Sequence, residues 1–134
     1  MKYVNLNYLK DLSRNNNAFV VKIINGFVKQ VADAVPDMEE QLVTKDWEAM
    51  YSLMHRLKPS LEIMGIHNLK STVIAIEENI AKEIDLQKIP DLVETIKDTL
   101  KDVVKELEVE KELLMNQLST VTKASHTYEK SEVI

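Results

Sequence analysis

The stretch Asp46–Gly65, "DWEAMYSLMHRLKPSLEIMG", has the apolar spacing of an amphipathic helix, with a histidine, a lysine and a proline near its middle. Asp46 is a suitable N-cap, and Gly65 is a natural stop for a helix that runs to about Met64. At about 100° per residue, the opposite side of this helix from His55 is apolar. Its members are Met50, Leu53, Leu57, Leu61 and Met64.

His55 is therefore predicted to point into solvent from the centre of a polar face. Histidine side chains ordinarily titrate near pH 6.5, so an exposed imidazole has a free ring nitrogen that can act as a nucleophile at neutral pH. Lys58 lies one turn further along the same face, where its ammonium can neutralise a phosphoryl group on His55. Pro59 lies four residues after His55, and its ring would clash with the His55 carbonyl, so we expect a local kink or a freed His55 carbonyl there. The alternative interpretation of His55 is an ordinary surface histidine.

The rest of the chain also favours long helices, because its 134 residues contain only two glycines and three prolines. A short opening helix is expected over residues 4–13 and a second helix over about 18–35. Pro36 is expected to kink this second helix or to begin a new segment. A fourth helix is expected over residues 68–82 and a fifth from Pro90 onward, where proline fits the first turn.

Each of these segments has apolar residues at spacings of three and four, and no segment shows strand-like alternation. We therefore predict an all-α fold, an antiparallel up-down four-helix bundle with a short N-terminal helix. The bundle is expected to occupy residues 1–118. The final stretch "SHTYEKSEVI" lacks periodicity, and residues 119–134 are predicted to form a disordered tail.

The composition excludes several classes of function. There are no cysteines, so disulfides and thiolate metal sites are excluded and a cytoplasmic protein is expected. The net charge is −5, with lysines interspersed among acids, so nucleic acid is not an expected partner. No apolar run approaches about 18 residues, so no membrane partner is expected. No histidine has the helical ligand spacing of a bundle metal site, so no metal is expected.

The run His55-Arg56-Leu57-Lys58-Pro59-Ser60, followed by Gly65, resembles the His-x-Leu-Lys-Gly-Ser signature of histidine-containing phosphotransfer (HPt) domains. The resemblance includes the preceding "DWEAMYSLM" and the N-terminal helices, and it covers roughly Leu6–Leu107. It implies a four-helix bundle in which His55 is the phosphoacceptor and Lys58 the supporting cation. Pro59 stands where most members of that family have glycine, and it adds rigid bulk beside the histidine.

The resemblance also implies the partners, which are receiver domains of response regulators, including those of hybrid histidine kinases. One receiver passes a phosphoryl group from its aspartate to His55 and a second receiver takes it away. The receiver supplies the Mg²⁺, so the chain is expected to be a monomeric carrier without a cofactor or ATP site, and not an enzyme on its own. Docking contacts are expected from residues around the histidine, namely Tyr51, Ser52, Met54, Pro59, Glu62 and Ile63.

Two alternatives remain open at this stage. In the first, the chain keeps the HPt fold but Pro59 blocks phosphoryl access, so that the protein is a relay-inactive interaction module. In the second, the chain is a helical dimerisation protein whose last helix forms a coiled coil through Leu100, Val103, Leu107 and Leu114. Polar residues at core positions of that register, Glu110 and Gln117, weaken the second alternative.

Overall fold

A computed structural model describes the backbone of residues 2–133 and the side chains of residues 2–117. The described backbone is helical and contains no strand. Its elements are α1 (Asn7–Leu12), α2 (Asn17–Thr44), α3 (Trp47–Ile63), α4 (Lys70–Lys82), a short 3-10 helix (Leu86–Lys88) and α5 (Ile89–Val133).

The four longer helices pack in a closed ring. α2 contacts α3 and α5, and α4 contacts the same two helices from the other side. α1 packs against α2 outside this ring. The predicted all-α four-helix bundle with a short N-terminal helix is thereby confirmed. In the described part of the chain, no helix is both long enough and apolar enough to cross a membrane.

Local sequence signals set the ends of the helices. The Asn16 side chain accepts a hydrogen bond from the Phe19 N–H, and the Asp46 side chain accepts one from the Ala49 N–H, both at 3.1 Å. Each cap satisfies a backbone donor that has no partner within its helix. The predicted N-cap at Asp46 is therefore confirmed.

Of the two outcomes predicted at Pro36, a kink or a new segment, the new segment does not form, because α2 is continuous from Asn17 to Thr44. Proline has no N–H, so Pro36 cannot donate the usual helical hydrogen bond to the carbonyl of Ala32, four residues earlier. Both Ala32 and Pro36 are exposed, so water can solvate that carbonyl. Ala34 and Met38, on either side of the proline, are buried on one face of α2, and this packing stabilises the continuous helix.

The apolar side of α5 faces the interior of the bundle. Its described part packs through residues that are at most 3% exposed, which are Ile89, Val93, Ile96, Leu100, Val103, Leu107 and Leu114. Four of these residues were to form the interface of the coiled-coil dimer considered as an alternative. That interface is wrong, because the four residues are already buried within the chain's own core, namely Leu100, Val103, Leu107 and Leu114.

The backbone of α5 extends to Val133, but the side chains beyond Gln117 lie outside the described residues. The predicted disordered tail, residues 119–134, falls in this part of the chain. The boundary between bundle and tail near residue 118 therefore stays a prediction.

The segment before α1 is not helical, although the sequence predicted helix from residue 4. The Glu106 carboxylate on α5 accepts hydrogen bonds from the N–H groups of residues 2–4, at 2.6–3.1 Å. The Asn5 N–H donates to the carbonyl of Met64 at 3.1 Å. Because Val4 and Leu6 are also buried, this segment closes the end of the bundle where α3 stops.

Candidate functional site

His55 lies in the middle of α3, and its side chain is 67% exposed. The helix presents this face to solvent because its opposite face packs into the core through Leu53, Leu57 and Leu61. The predicted exposure of His55 is therefore confirmed. Its predicted role as phosphoacceptor stays a prediction.

A buried carboxylate lies directly behind the histidine. Glu77 comes from α4, its side chain is only 8% exposed, and its Oε2 is 3.2 Å from Nδ1 of His55. A carboxylate can only accept hydrogen bonds, so Nδ1 is the nitrogen that carries the hydrogen. Nε2 is then left with a free lone pair on the exposed edge of the ring.

Lys58 balances the charge of this carboxylate. Its Nζ is 2.9 Å from Oε1 of Glu77, and its side chain is 39% exposed. Among the residues with described side chains, Oε1 has no other hydrogen-bond partner, and the ammonium is not well aligned with it, so this contact is mainly electrostatic. A buried carboxylate is costly unless it is paired, which explains why Lys58 and His55 both point toward Glu77. The structure thus joins the two residues predicted from sequence through a third.

Sequence reasoning missed Glu77. The apolar residues spaced by three and four in the helix predicted over residues 68–82 include Val73, Ile76 and Ile80. Glu77 lies on the same face, four residues after Val73 and three before Ile80. A carboxylate at a core-facing position needs a partner from another element, so its place in the apolar stripe did indicate a polar contact with another part of the chain. The identity of the partner depends on the pairing of α3 with α4, which the stripe alone does not specify.

An aromatic ring flanks His55 on its own helix. The ring of Tyr51 is nearly parallel to the imidazole, with 8° between the planes and 6.2 Å between the centroids. Tyr51 is 37% exposed, so its ring is partly packed and partly available to solvent.

The structure separates the residues predicted to dock a partner. Those on the exposed face of α3 together with His55 are Tyr51, Ser52, Pro59 and Glu62, while Ile63 is half-buried. Met54 is 0% exposed, so its predicted place in the docking surface is wrong. Met54 is the residue next to His55, and a helix turns about 100° per residue, which directs its side chain into the core.

Pro59 does not interrupt the helix that carries the site, because α3 is continuous from Trp47 to Ile63. The proline nitrogen cannot donate to the carbonyl of His55. Both residues are exposed, so water can solvate this carbonyl. The helix therefore keeps His55 and Lys58 on one face despite the proline.

If His55 is the phosphoacceptor that the sequence predicts, replacing Glu77 by alanine is expected to slow its phosphorylation by about tenfold or more. A hydrogen bond to a charged group contributes about 1.5–3 kcal/mol, and here it also selects the ring tautomer that has a free Nε2. Nitrogen-15 NMR of the histidine rings should show the Nδ1–H tautomer of His55 in the wild type and a shift toward Nε2–H in the variant.

Glu78→Ala is the matched control, because Glu78 is the next residue on α4 and is exposed. It should change neither the tautomer nor the rate. An unchanged His55 tautomer in Glu77→Ala would show that the carboxylate does not orient the ring.

Comparisons with known proteins agree with this architecture. The crystal structure of histidine-containing phosphotransfer protein B (HptB) from Pseudomonas aeruginosa PAO1 is similar, with a TM-score of 0.74. The match has 19% sequence identity and covers 82% of this chain and 95% of that chain, and at this identity it supports the fold alone. No curated protein has significant similarity to the sequence.

The sequence itself matches a family model. The model of the Hpt domain matches residues 22–108, which is more than half of the chain. The matched region includes all of α3 and α4, and so it contains His55, Lys58 and Glu77. By this match, the chain belongs to the Hpt domain family.

Proposed function

We propose that this chain is a phosphorelay intermediate that accepts a phosphoryl group on Nε2 of His55 and passes it on. Members of the Hpt family are phosphocarriers of two-component signalling and interact with receiver domains. In the proposal, the donor is the aspartyl phosphate of one receiver and the acceptor is the aspartate of another, including receivers of hybrid histidine kinases. The observation that carries it is the exposed imidazole whose Nδ1 is held by a buried carboxylate, which leaves Nε2 free.

The proposed step is a direct displacement at phosphorus. The Nε2 lone pair attacks the phosphorus of the aspartyl phosphate, the N–P bond forms and the P–O bond to the aspartate breaks, and the electron pair leaves with the aspartate carboxylate. The phosphorylated ring keeps its hydrogen on Nδ1, and Glu77 offsets the resulting positive charge. In the second transfer a receiver aspartate attacks, the N–P bond breaks and its electron pair returns to Nε2.

The proposal assigns no metal or nucleotide to this chain. Phosphoryl transfer of this kind needs little covalent chemistry from the protein beyond a positioned nucleophile and stabilisation of charge. His55 provides the nucleophile, and Lys58 provides a cation on the same face. The Mg²⁺ is proposed to come with the receiver.

Lys58→Ala is expected to slow transfer and to shorten the lifetime of the phosphohistidine, each by roughly tenfold, which corresponds to about 1.4 kcal/mol. Its ammonium is a positive charge close to the phosphoryl group, and its partial exposure lets it turn from Glu77 toward that group. Transfer rates and the decay of isolated phosphorylated protein would measure the two effects.

Lys58→Arg, which keeps the charge, should preserve most of both properties. Arg56→Ala is the matched control, since Arg56 is an exposed cation displaced by about 100° from His55 around the helix. Equal rates and lifetimes for wild type and Lys58→Ala would remove Lys58 from the site.

The experiment that tests the function uses the whole purified chain with several phosphorylated receiver domains and Mg²⁺. We expect acid-labile, alkali-stable label to appear on this chain, and no transfer when Mg²⁺ is omitted. Failure of every receiver to transfer label would contradict the relay and favour the relay-inactive interaction module, in which Pro59 blocks access. Pro59→Gly would then be the variant to examine, because Pro59 is exposed on the face that carries His55.

A further inference from the structure

We infer that Tyr51 is a positioning residue for phosphoryl transfer, one that fixes the plane of the His55 ring and thereby the direction of the Nε2 lone pair. This inference rests on the proposed function of His55. It gives Tyr51 a role within the chain, distinct from the contact with a receiver that its exposure alone suggests.

The rings of Tyr51 and His55 are placed to interact. Tyr51 precedes His55 by four residues on α3, so the two side chains are neighbours on one helical face. Their planes are 8° apart and their centroids are 6.2 Å apart. This is an offset parallel arrangement within the range of about 4.5–7 Å that aromatic pairs prefer.

One hydrogen bond does not fix the orientation of an exposed ring. The contact with Glu77 holds the Nδ1 edge of the imidazole, but the ring can still rock about that contact, because its side chain is 67% exposed. A nearly parallel ring beside the imidazole, with 6.2 Å between the centroids, restricts this motion. Glu77 and Tyr51 together therefore limit the orientation of the ring, and the hydrogen bond at Nδ1 leaves Nε2 free.

The aromatic ring of Tyr51, and not its hydroxyl, positions the imidazole. The Nε2 lone pair lies in the plane of the imidazole, so a ring stacked against the face does not obstruct it, whereas a hydrogen-bond donor would compete for it. Among residues 2–117, no hydrogen bond to the Tyr51 hydroxyl is present. The aromatic ring is then sufficient, and phenylalanine should replace tyrosine at this position.

Single-turnover transfer from a phosphorylated receiver, measured over a range of receiver concentrations, tests the inference with Tyr51→Leu and Tyr51→Phe. Tyr51→Leu is expected to lower the limiting rate by roughly fivefold, the usual scale for one aromatic pair, with the half-saturating receiver concentration unchanged. Tyr51→Phe is expected to restore the wild-type rate. The control Phe19→Leu removes a 44% exposed aromatic ring elsewhere, on α2, and should leave both quantities unchanged.

A higher half-saturating concentration with an unchanged limiting rate would overturn the inference and make Tyr51 a docking contact. Equal kinetics for Tyr51→Leu and wild type would overturn it as well. A second measurement needs no receiver: side-chain couplings should report a single His55 rotamer in the wild type and averaging in Tyr51→Leu. If wild type is never labelled by a receiver but this rotamer difference is found, the proposed function fails while the positioning by Tyr51 stands. An unchanged rotamer distribution would overturn the positioning role by itself.

Discussion

Replacing His55 by glutamine is expected to abolish acid-labile phosphorylation while leaving helix content and melting temperature nearly unchanged. Glutamine has no nucleophilic ring nitrogen, so no N–P bond can form. Its amide can still donate a hydrogen bond to Oε2 of Glu77, so the buried carboxylate keeps a partner. Because the His55 side chain is 67% exposed, we expect a change in unfolding free energy of no more than about 0.5 kcal/mol.

The measurement compares label on wild type and His55→Gln after incubation with a phosphorylated receiver and Mg²⁺, and it compares their thermal melting by circular dichroism. His67→Gln is the matched control, since His67 is an exposed histidine in the turn between α3 and α4. It should be labelled like wild type. Label on His55→Gln would place the phosphoacceptor elsewhere, and a large drop in melting temperature would mean that His55 has a structural role instead.

Much of this site could be predicted because it lies on one helix. The period of α3 is local information, so the apolar spacing alone separates the buried Leu57 from the exposed His55 and Lys58. The N-cap at Asp46 is equally local, because it depends on a side chain and a backbone N–H three residues apart. By the same periodicity Met54 lies near the boundary between the buried and exposed faces, and its prediction as a docking residue was wrong.

The parts that could not be predicted depend on contacts between elements. Glu77 reaches His55 across 22 residues of sequence, so its role follows from how α4 is aligned against α3. Glu106 accepts hydrogen bonds from the N-terminal segment, which is more than 100 residues away in the sequence. Nothing in residues 2–4 indicates an acceptor on α5. At Pro36 a local pattern was misleading. Burial of the side chains on either side of the proline outweighs its local preference to break the helix.

Gly65 was predicted to end α3, and the structure shows a second and stricter reason why this position requires glycine. Its φ is +65°, in the left-handed region that side chains disfavour. A Cβ built on Gly65 would collide with the carbonyl oxygen of Asn5 and lie 2.9 Å from the Asn5 carbonyl carbon. The obstacle is backbone, held in place by the bond from the Asn5 N–H to Met64 and by the buried side chains on either side of Asn5.

Gly65→Ala is therefore expected to destabilise the protein by about 2–4 kcal/mol. The left-handed conformation costs a non-glycine residue about 1–2 kcal/mol, and the rest comes from displacing the segment that buries Val4 and Leu6, each of which contributes about 1.5–3 kcal/mol when fully buried. Chemical denaturation monitored by circular dichroism would measure this loss as a lower midpoint.

Gly26→Ala makes the same substitution where the outcome should have the opposite sign. Gly26 lies within α2, and a Cβ built there meets no described atom within 4 Å apart from its chain neighbours and the backbone of its own helix. Alanine is favoured over glycine in a helix interior by roughly 0.5–1 kcal/mol, so this variant should be slightly more stable than wild type. Stabilisation at Gly26 together with destabilisation at Gly65 would show that the close approach of Asn5, and not a general effect of losing glycine, governs residue 65. If Gly65→Ala lowers the unfolding free energy by less than about 1 kcal/mol, the N-terminal segment is easily displaced, and its contact with Gly65 does not determine where α3 ends.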